Sequence, residues 1–158
     1  MEAKIFSIGD SIALASILVT VWLARVGFYR AETRAMIDKA QGDINRVTDF
    51  VAEFWLSNKQ DFSKEELQYW THRLSATGDR VDLWVTTCAN KLHIENNNAL
   101  RDAIVELIDA ATNDIESYSS IGPHSRKLRC TRVLSASTQI LQIVESSFDR
   151  WPRKVLWW

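Results

Sequence analysis

Residues 11–29, SIALASILVTVWLARVGFY, decide the fold of this chain. They carry a single charge, Arg25, and no proline. Nineteen residues would rise about 28 Å as an α-helix, close to the ~30 Å hydrocarbon core of a bilayer. The stretch therefore predicts a membrane-spanning helix, which would place the rest of the chain at a membrane surface.

Two other interpretations of this stretch stay open. A cleaved signal peptide needs a basic start and small residues before its cleavage site, whereas Glu2 and Asp10 lie near the start and Trp22 stands three residues before Arg25. A buried core helix is the second, because Arg25 shortens the uninterrupted apolar run to residues 11–24. Arg25 is close enough to the end of the stretch to extend toward lipid headgroups, which favours the spanning interpretation.

The charges around the stretch predict its orientation. One lysine, Lys4, precedes it. Four cations close or follow it: Arg25, Arg30, Arg34 and Lys39. The positive-inside rule then places residues 30–158 in the cytoplasm, as the bulk of a single-pass protein of the inner membrane.

Composition restricts the class of protein. Five glycines and two prolines in 158 residues favour helices over turn-rich β structure. The net charge of −1 gives no overall attraction to nucleic acid, so DNA is not an expected partner. Cys88 and Cys130 lack CxxC spacing and fit free thiols in a reducing compartment.

A heptad stripe continues past the apolar stretch. No glycine or proline interrupts residues 30–41, so one helix is predicted from about residue 11 to residue 57. Its stripe recurs at alternating steps of four and three: Thr33, Ile37, Ala40, Ile44, Val47, Val51 and Phe54. Such a stripe forms either the core face of a bundle or a parallel coiled coil between subunits of a homo-oligomer.

Three further helices are expected. Ser63 and Glu66 form a capping box that begins the second helix, in which Gly78 marks a C-cap or kink. Asparagines 96–98 precede the third helix, whose apolar pattern extends to Ile115. The fourth is expected to begin near Ser125 and to close at Pro152.

The predicted fold is all-α, with a single N-terminal transmembrane helix that continues into a cytoplasmic antiparallel bundle of about four helices. We expect a transmembrane segment at 1–29, the bundle at 30–150, and a Trp/Arg-rich C-terminal tail at 151–158.

Motifs for chemistry are absent from the sequence. It has no P-loop, GxGxxG, GxSxG or HExxH pattern. His72, His93 and His124 lie far apart, without the partners that zinc binding or general-base catalysis requires. We therefore expect a protein that is not an enzyme, with no catalytic residue, metal or cofactor.

One basic cluster precedes and begins the fourth helix: His124, Arg126, Lys127, Arg129 and Arg132. It would suit an RNA backbone, a nucleotide or anionic lipid. The alternative is a solvated face balanced by acids of the third helix and the loop after it. Those acids are Asp102, Glu106, Asp109, Asp114 and Glu116.

Two further features bear on the membrane. Ser16, Thr20, Ala24 and Gly27 form a small-residue face beside Arg25, which indicates close helix packing or a pore lining. In the tail, Trp151, Trp157 and Trp158 stand among Arg150, Arg153 and Lys154. That composition suits the membrane interface, and packing on the bundle or on a neighbouring subunit is the alternative.

A membrane helix followed by a cytoplasmic helical bundle resembles the small HEPN-like accessory and effector proteins of bacterial phage defence, including those that accompany RNA-targeting CRISPR nucleases. HEPN ribonucleases carry an arginine followed after four to six residues by a histidine, and none of the three histidines here has that spacing. The resemblance therefore implies membrane permeabilisation by an oligomer more than ribonuclease activity.

The first function expected is an oligomeric membrane protein that perturbs or permeabilises the inner membrane as a defence effector or accessory. Its partners would be membrane lipids, other copies of itself, and a protein or RNA trigger. The alternatives are a membrane-tethered helical module that recruits a cytoplasmic partner, and a degenerate HEPN-type RNA-binding protein.

Overall fold

A computed structural model describes the backbone of residues 8–155 and the side chains of residues 13–150. Four α-helices account for most of it: α1 (Ile8–Trp55), α2 (Lys64–Leu92), α3 (Asn98–Thr112) and α4 (Pro123–Val155). A short 3-10 helix (Ile115–Ser120) lies between α3 and α4. No strand occurs within residues 8–155. The all-α prediction and the long apolar N-terminal helix are confirmed.

The chain divides into two compact units, one ending at Ala35 and the other beginning at Met36. The first contains the apolar stretch. The second, which we call the bundle, contains the rest of α1 and all the other helices. Helix α1 is a single α-helix in the structure, as the absence of glycine and proline between residues 30 and 41 predicts.

Helix α2 begins where its capping box predicts. The Ser63 side chain accepts a hydrogen bond from the Glu66 backbone N–H, and the Glu66 carboxylate accepts one from the Ser63 N–H. Lys59 Nζ lies 2.5 Å from Glu66 Oε1, and this hydrogen bond is the main cause of a lowered Glu66 pKa. The box satisfies two backbone donors that a helix start otherwise leaves unpaired.

Gly78 lies inside α2 and does not end it. The helix runs without interruption to Leu92, where His93 supplies the C-cap in the left-handed region at φ 56°. A Cβ at Gly78 would meet Ile108 Cγ1 at 3.5 Å, an ordinary contact. The predicted C-cap or kink at Gly78 is therefore wrong, because α2 packs on α3 at this position and continues through it.

Helices α1 and α2 pack antiparallel. Arg73 lies over the Phe50 ring at 3.7 Å, and Lys39 lies over the Trp84 ring at 4.8 Å. Later residues of α2 therefore lie beside earlier residues of α1, which means that the two helices run in opposite directions. Asn97 is the N-cap of helix α3, and its side chain accepts a hydrogen bond from the Leu100 N–H, as the asparagine run predicts.

The segment after α3 departs from the prediction. Ile115 belongs to the 3-10 helix, because Asn113 caps α3 in an extended conformation and Asp114 turns the chain at φ 59°. Helix α4 begins at Pro123, two residues before the expected start, with proline in the first turn where its missing N–H costs nothing.

Pro152 does not close α4, which continues to Val155. The prediction of a stop at Pro152 is therefore wrong. A proline this close to the C-terminus removes one hydrogen bond, while the residues after it still reach carbonyls in the preceding turn.

The core lies between the four helices of the bundle. An aromatic cluster closes one end, where Phe54 lies 5.0 Å from Tyr118 and 5.5 Å from Trp70 between ring centroids. The Tyr118 hydroxyl can donate a hydrogen bond to the Ser57 carbonyl at 3.3 Å or to the Lys59 carbonyl at 3.2 Å. The 3-10 helix thereby holds the α1–α2 loop in place.

Candidate membrane anchor

In the part of the chain whose side chains are described, the apolar stretch is exposed. Of the residues described, α1 alone contains an 18-residue window apolar enough to cross a membrane, and none of that window is buried. Nine large apolar or aromatic side chains along it are exposed: Leu14, Ile17, Leu18, Val19, Val21, Trp22, Leu23, Phe28 and Tyr29. Burying such a surface is worth on the order of 10 kcal/mol, comparable to the whole stability of a domain. A lipid phase or another protein surface would recover that energy.

Two hydroxyls near the middle of the stretch are satisfied by their own helix. Ser16 Oγ donates to the Ala13 carbonyl and Thr20 Oγ1 to the Ser16 carbonyl, each at 2.8 Å. An unpaired hydroxyl is costly in hydrocarbon, and this local pairing removes that cost without a partner helix. The predicted small-residue face is thus compatible with direct lipid contact.

Arg25 is exposed, and its guanidinium lies 5.6 Å from the centroid of the Tyr29 ring. Tyr29 is one turn further along α1, in the direction of Arg30 and Arg34. The side chain therefore extends toward the basic flank of the stretch and away from its apolar centre. This is the direction in which an arginine reaches headgroups from within a membrane helix.

Gly27 and Ala24 complete the small face. Both are exposed, and a Cβ added at Gly27 would meet nothing within 4 Å. The backbone there is open to close approach by another helix, as small faces in membrane helices permit.

The heptad stripe lies in the core of the bundle. The apolar residues of the predicted stripe have exposures of 0–2%: Ile37, Ala40, Ile44, Val47, Val51 and Phe54. Of the two alternatives for the stripe, the structure gives the core face, since these side chains are already covered by α2, α3 and α4 of the same chain.

The basic cluster is largely taken up by contacts within the chain. Arg126 donates to the Tyr118 and Ile121 carbonyls at 2.9 and 2.8 Å and lies 3.6 Å from the Tyr118 ring centroid. Arg129 donates to the Asn113 carbonyl at 2.7 Å. These two arginines therefore hold the start of α4 against the segment after α3.

Arg132 pairs with Glu106 on α3 through two hydrogen bonds of 2.5 and 2.9 Å. The Arg132 side chain lowers the pKa of Glu106, and Glu106 raises the pKa of Arg132 in return. With Asp109 also 3.5 Å away, the pairing favours the interpretation in which the acids of α3 balance the cluster. His124 and Lys127 are the two exposed members.

The three histidines stay apart. His72 lines an open cleft of about 630 Å³ with Asp61, Lys64 and Glu116, His93 caps α2, and His124 is exposed in the first turn of α4. Within residues 13–150, no group of three His, Cys, Asp or Glu is placed to hold a metal.

The cysteines are also separate. Burial raises the pKa of the Cys88 thiol to about 11 and raises that of Cys130. Both therefore stay protonated and unreactive near neutral pH.

Asp43 is the buried charge that sequence reasoning missed. Its side chain is 4% exposed, and its Oδ1 accepts from Arg80 on α2 at 3.0 Å and from Arg46 at 3.2 Å. An acid immediately before Ile44, inside an apolar stripe, was the available signal. The pairing joins α1 to α2 near the middle of the bundle.

The predicted membrane-interface residues Trp151, Trp157 and Trp158 have side chains outside the described part of the chain. Helix α4 itself is described to Val155.

Comparison with protein families, curated proteins and solved structures found nothing similar to this chain.

Proposed function

We propose that this protein is a membrane-tethered helical module: residues 11–29 cross the inner membrane once, and the bundle binds a partner on the cytoplasmic side. The observation that supports it is the apolar segment, none of whose described side chains, from Ala13 to Tyr29, is buried. A bilayer of ~30 Å matches its length. The excess of arginine after the segment supports a cytoplasmic bundle.

A tether accounts for this segment better than a pore. Ser16 and Thr20 direct their hydroxyls to their own helix carbonyls, whereas a pore lining would offer them to water or ions. The stripe that would otherwise have joined subunits lies in the bundle core. Two features that supported an assembled pore, the hydroxyls of the small face and the heptad stripe, therefore have explanations within one chain.

The bundle offers a binding cleft of about 630 Å³ between the α1–α2 loop, the first turns of α2 and the 3-10 helix. Its lining mixes Asp61, Lys64, His72 and Glu116 with the apolar Phe62. A protein surface of mixed charge around an apolar contact would fit it.

The second candidate is an oligomer that permeabilises the membrane, in the phage-defence role that the architectural resemblance implies. The open face at Ala24 and Gly27 favours it, because it would let spans of several copies pack closely. An RNA-binding role is the weakest candidate, since three of the five basic-cluster residues already bind within the chain.

The test has two parts. The full chain should remain in membranes after alkaline carbonate washing, and a reporter fused after Trp158 should be cytoplasmic. Release by carbonate would refute the tether.

The second part measures dye entry and membrane potential in cells that express the protein. A tether should cause no leak. A leak that is altered by Thr20→Leu or Arg25→Leu, and unaffected by His72→Ala, would replace the tether with the pore.

A further inference from the structure

A second cleft of the bundle lies where the α1–α2 loop meets the start of α4. We call it the Trp55 cleft, and its volume of about 440 Å³ is within the range of ligand sites. Its lining residues include two cations and no acid, whereas Asp61 and Glu116 line the cleft at His72. The lining consists of Trp55, Leu56, Ser57, Asn58, Lys59, Gln60, Pro123 and Arg126.

The indole of Trp55 has an unused hydrogen-bond donor. Trp55 is 1% exposed, and its Nε1 is the buried side-chain nitrogen that finds no hydrogen-bond partner among the described residues. The ring itself is engaged, because it stacks with Tyr118 at 5.8 Å between centroids and has the Arg129 guanidinium at 4.9 Å. An unpaired buried donor costs about 1–3 kcal/mol. An acceptor supplied by a ligand would recover that energy.

Arg126 has a charge that no acid balances. Its Nε and Nη2 donate to the carbonyls of Ile121 and Tyr118, which are neutral acceptors. Among the described residues, Nη1 has no partner and no carboxylate pairs with this guanidinium. The other cation of the lining, Lys59, is already paired with Glu66 at 2.5 Å. Arg126 is therefore the lining cation that can bind an anion.

Tyr118 holds both walls of the Trp55 cleft. Its hydroxyl can donate to the Ser57 or Lys59 carbonyl of the α1–α2 loop, and its own carbonyl accepts from Arg126 at 2.9 Å. Walls that are fixed before a ligand arrives lower the ordering cost of binding. Helix α4 begins at Pro123, and the unpaired N–H groups of a helix start also favour an anion.

We propose that the Trp55 cleft binds the carboxylate of an aspartate or glutamate side chain of a protein partner. One carboxylate oxygen accepts from Arg126 Nη1 and the other from Trp55 Nε1. Because Nε1 has almost no exposed surface in the free chain, a lining side chain moves aside on binding. Lys59 and Gln60, which are long and exposed, have that freedom.

The composition of the cleft selects this ligand over a nucleic acid. One uncompensated cation matches one negative charge, whereas a nucleic-acid backbone is bound by several cations together. Leu56, which is 53% exposed, and Pro123 offer apolar contact to the partner around its carboxylate. Of the basic cluster in the sequence, the cleft contains Arg126 alone. The proposal rests on the proposed function for the existence of a partner, and a peptide alone can test the site.

The experiment follows the indole N–H signals of the full chain in detergent micelles by ¹H–¹⁵N NMR. The probes are acetyl-Leu-Glu-Leu-amide, its uncharged analogue acetyl-Leu-Gln-Leu-amide, and inorganic phosphate, all at matched ionic strength. The W55F variant identifies the Trp55 signal, and proximity to the ring protons of Tyr118 identifies it independently. The glutamate peptide should move this signal downfield, as expected for an N–H that donates to a carboxylate, and the glutamine peptide should leave it in place.

Three variants test the contribution of Arg126. R126Q should weaken binding of the glutamate peptide about tenfold or more, since a hydrogen bond to a charged group is lost. R126K keeps the charge without the planar fork and should fall between R126Q and the parent. K127Q is the matched control, because Lys127 is exposed beside Arg126 and outside the lining; it should weaken binding less than about threefold. Circular dichroism and the indole signal of Trp70 report whether each variant is folded.

The other outcomes overturn the proposal. A Trp55 signal that the glutamate peptide does not move would show that water satisfies the donor and that the cleft is no carboxylate site. An equal response to phosphate at the same concentration would replace the acidic side chain with a phosphate ligand. Equal weakening by K127Q and R126Q would indicate general attraction to a basic surface. Failure of the tether would appear as release by carbonate, which these peptide titrations do not depend on.

Discussion

Replacing Arg80 should destabilise the bundle more than neutralising its partner Asp43. The Asp43 side chain is 4% exposed, whereas that of Arg80 is 56% exposed. Removing the arginine leaves a carboxylate in the core, while removing the negative charge leaves a guanidinium that water can solvate. Removing Arg80 should therefore lower the free energy of unfolding more than neutralising Asp43 does, although the two residues form one ion pair.

The magnitude follows from what each variant leaves behind. In Arg80→Ala the carboxylate keeps Arg46 at 3.2 Å, so one charge-assisted hydrogen bond is lost, at about 2 kcal/mol. Arg46→Ala together with Arg80→Ala isolates the carboxylate and should cost about 3–5 kcal/mol. Asp43→Asn keeps the shape and one acceptor without the charge, and should cost less than about 1 kcal/mol.

The assay is unfolding of the full chain in mild detergent, by urea for the free energy and by heat for Tm. Both are followed by circular dichroism and by the fluorescence of the buried core tryptophans. For a bundle of this size, Arg80→Ala should lower Tm by roughly 6–10 °C. Arg101→Ala, at an exposed position on α3, is the matched control and should change stability by less than about 0.5 kcal/mol.

A double-mutant cycle tests the reasoning directly. In the Asp43→Asn background, Arg80→Ala should cost less than in the parent, with a coupling of about 1 kcal/mol. If Asp43→Asn is the more damaging single change, or if the coupling is absent, the buried charge is not what makes Arg80 important.

Three further predictions concern the bundle. Gly78→Ala should stabilise the protein by about 0.5–1 kcal/mol in the same unfolding assay, since α2 is helical there and the new Cβ finds ordinary contact with Ile108; a loss of stability would show that α2 and α3 pack more tightly than described. Ser63→Ala should cost about 1 kcal/mol by breaking the capping box, and Ser63→Asp, which keeps an acceptor, should restore most of it. Glu106 has a lowered pKa beside Arg132, so its contribution is complete above pH ~4.5 and declines as the pH falls through the folded-state pKa. Glu106→Gln should therefore cost less than about 1 kcal/mol at pH 7 and flatten the loss of stability below pH 4.5; an unchanged acid profile would count against the pairing.

Patterns along the chain predict the helices because their causes are local. The apolar run at residues 11–29 has the length and composition of a membrane span, whatever surrounds it. The capping box at Ser63 was predicted from residues three positions apart, and the start of α3 was predicted from the asparagine run at 96–98. Both signals are local, since a cap is completed within one turn. Proline and glycine were poorer guides: α2 continues through Gly78 and α4 through Pro152.

The partners of charged side chains depend on tertiary structure. The sequence presents Arg126, Arg129 and Arg132 as one basic cluster, and their periodicity does not say which neighbour each will meet. The fold brings α3 and the 3-10 helix alongside α4, so Arg132 meets Glu106 and Arg126 meets the Tyr118 carbonyl. The sequence alone suggests that these arginines bind an anion, whereas in the fold they bind other residues of the same chain.

For the stripe and the membrane segment too, the sequence and the tertiary structure each determine a different property. Heptad spacing determined that Ile37 to Phe54 needed cover, and the antiparallel return of α4 decided that the cover comes from the same chain. The apolar segment needed cover for the same reason, and the fold leaves it exposed. Spacing along a helix determines which side chains avoid water, whereas the arrival of distant helices decides what covers them, because burial depends on neighbours that local sequence does not specify.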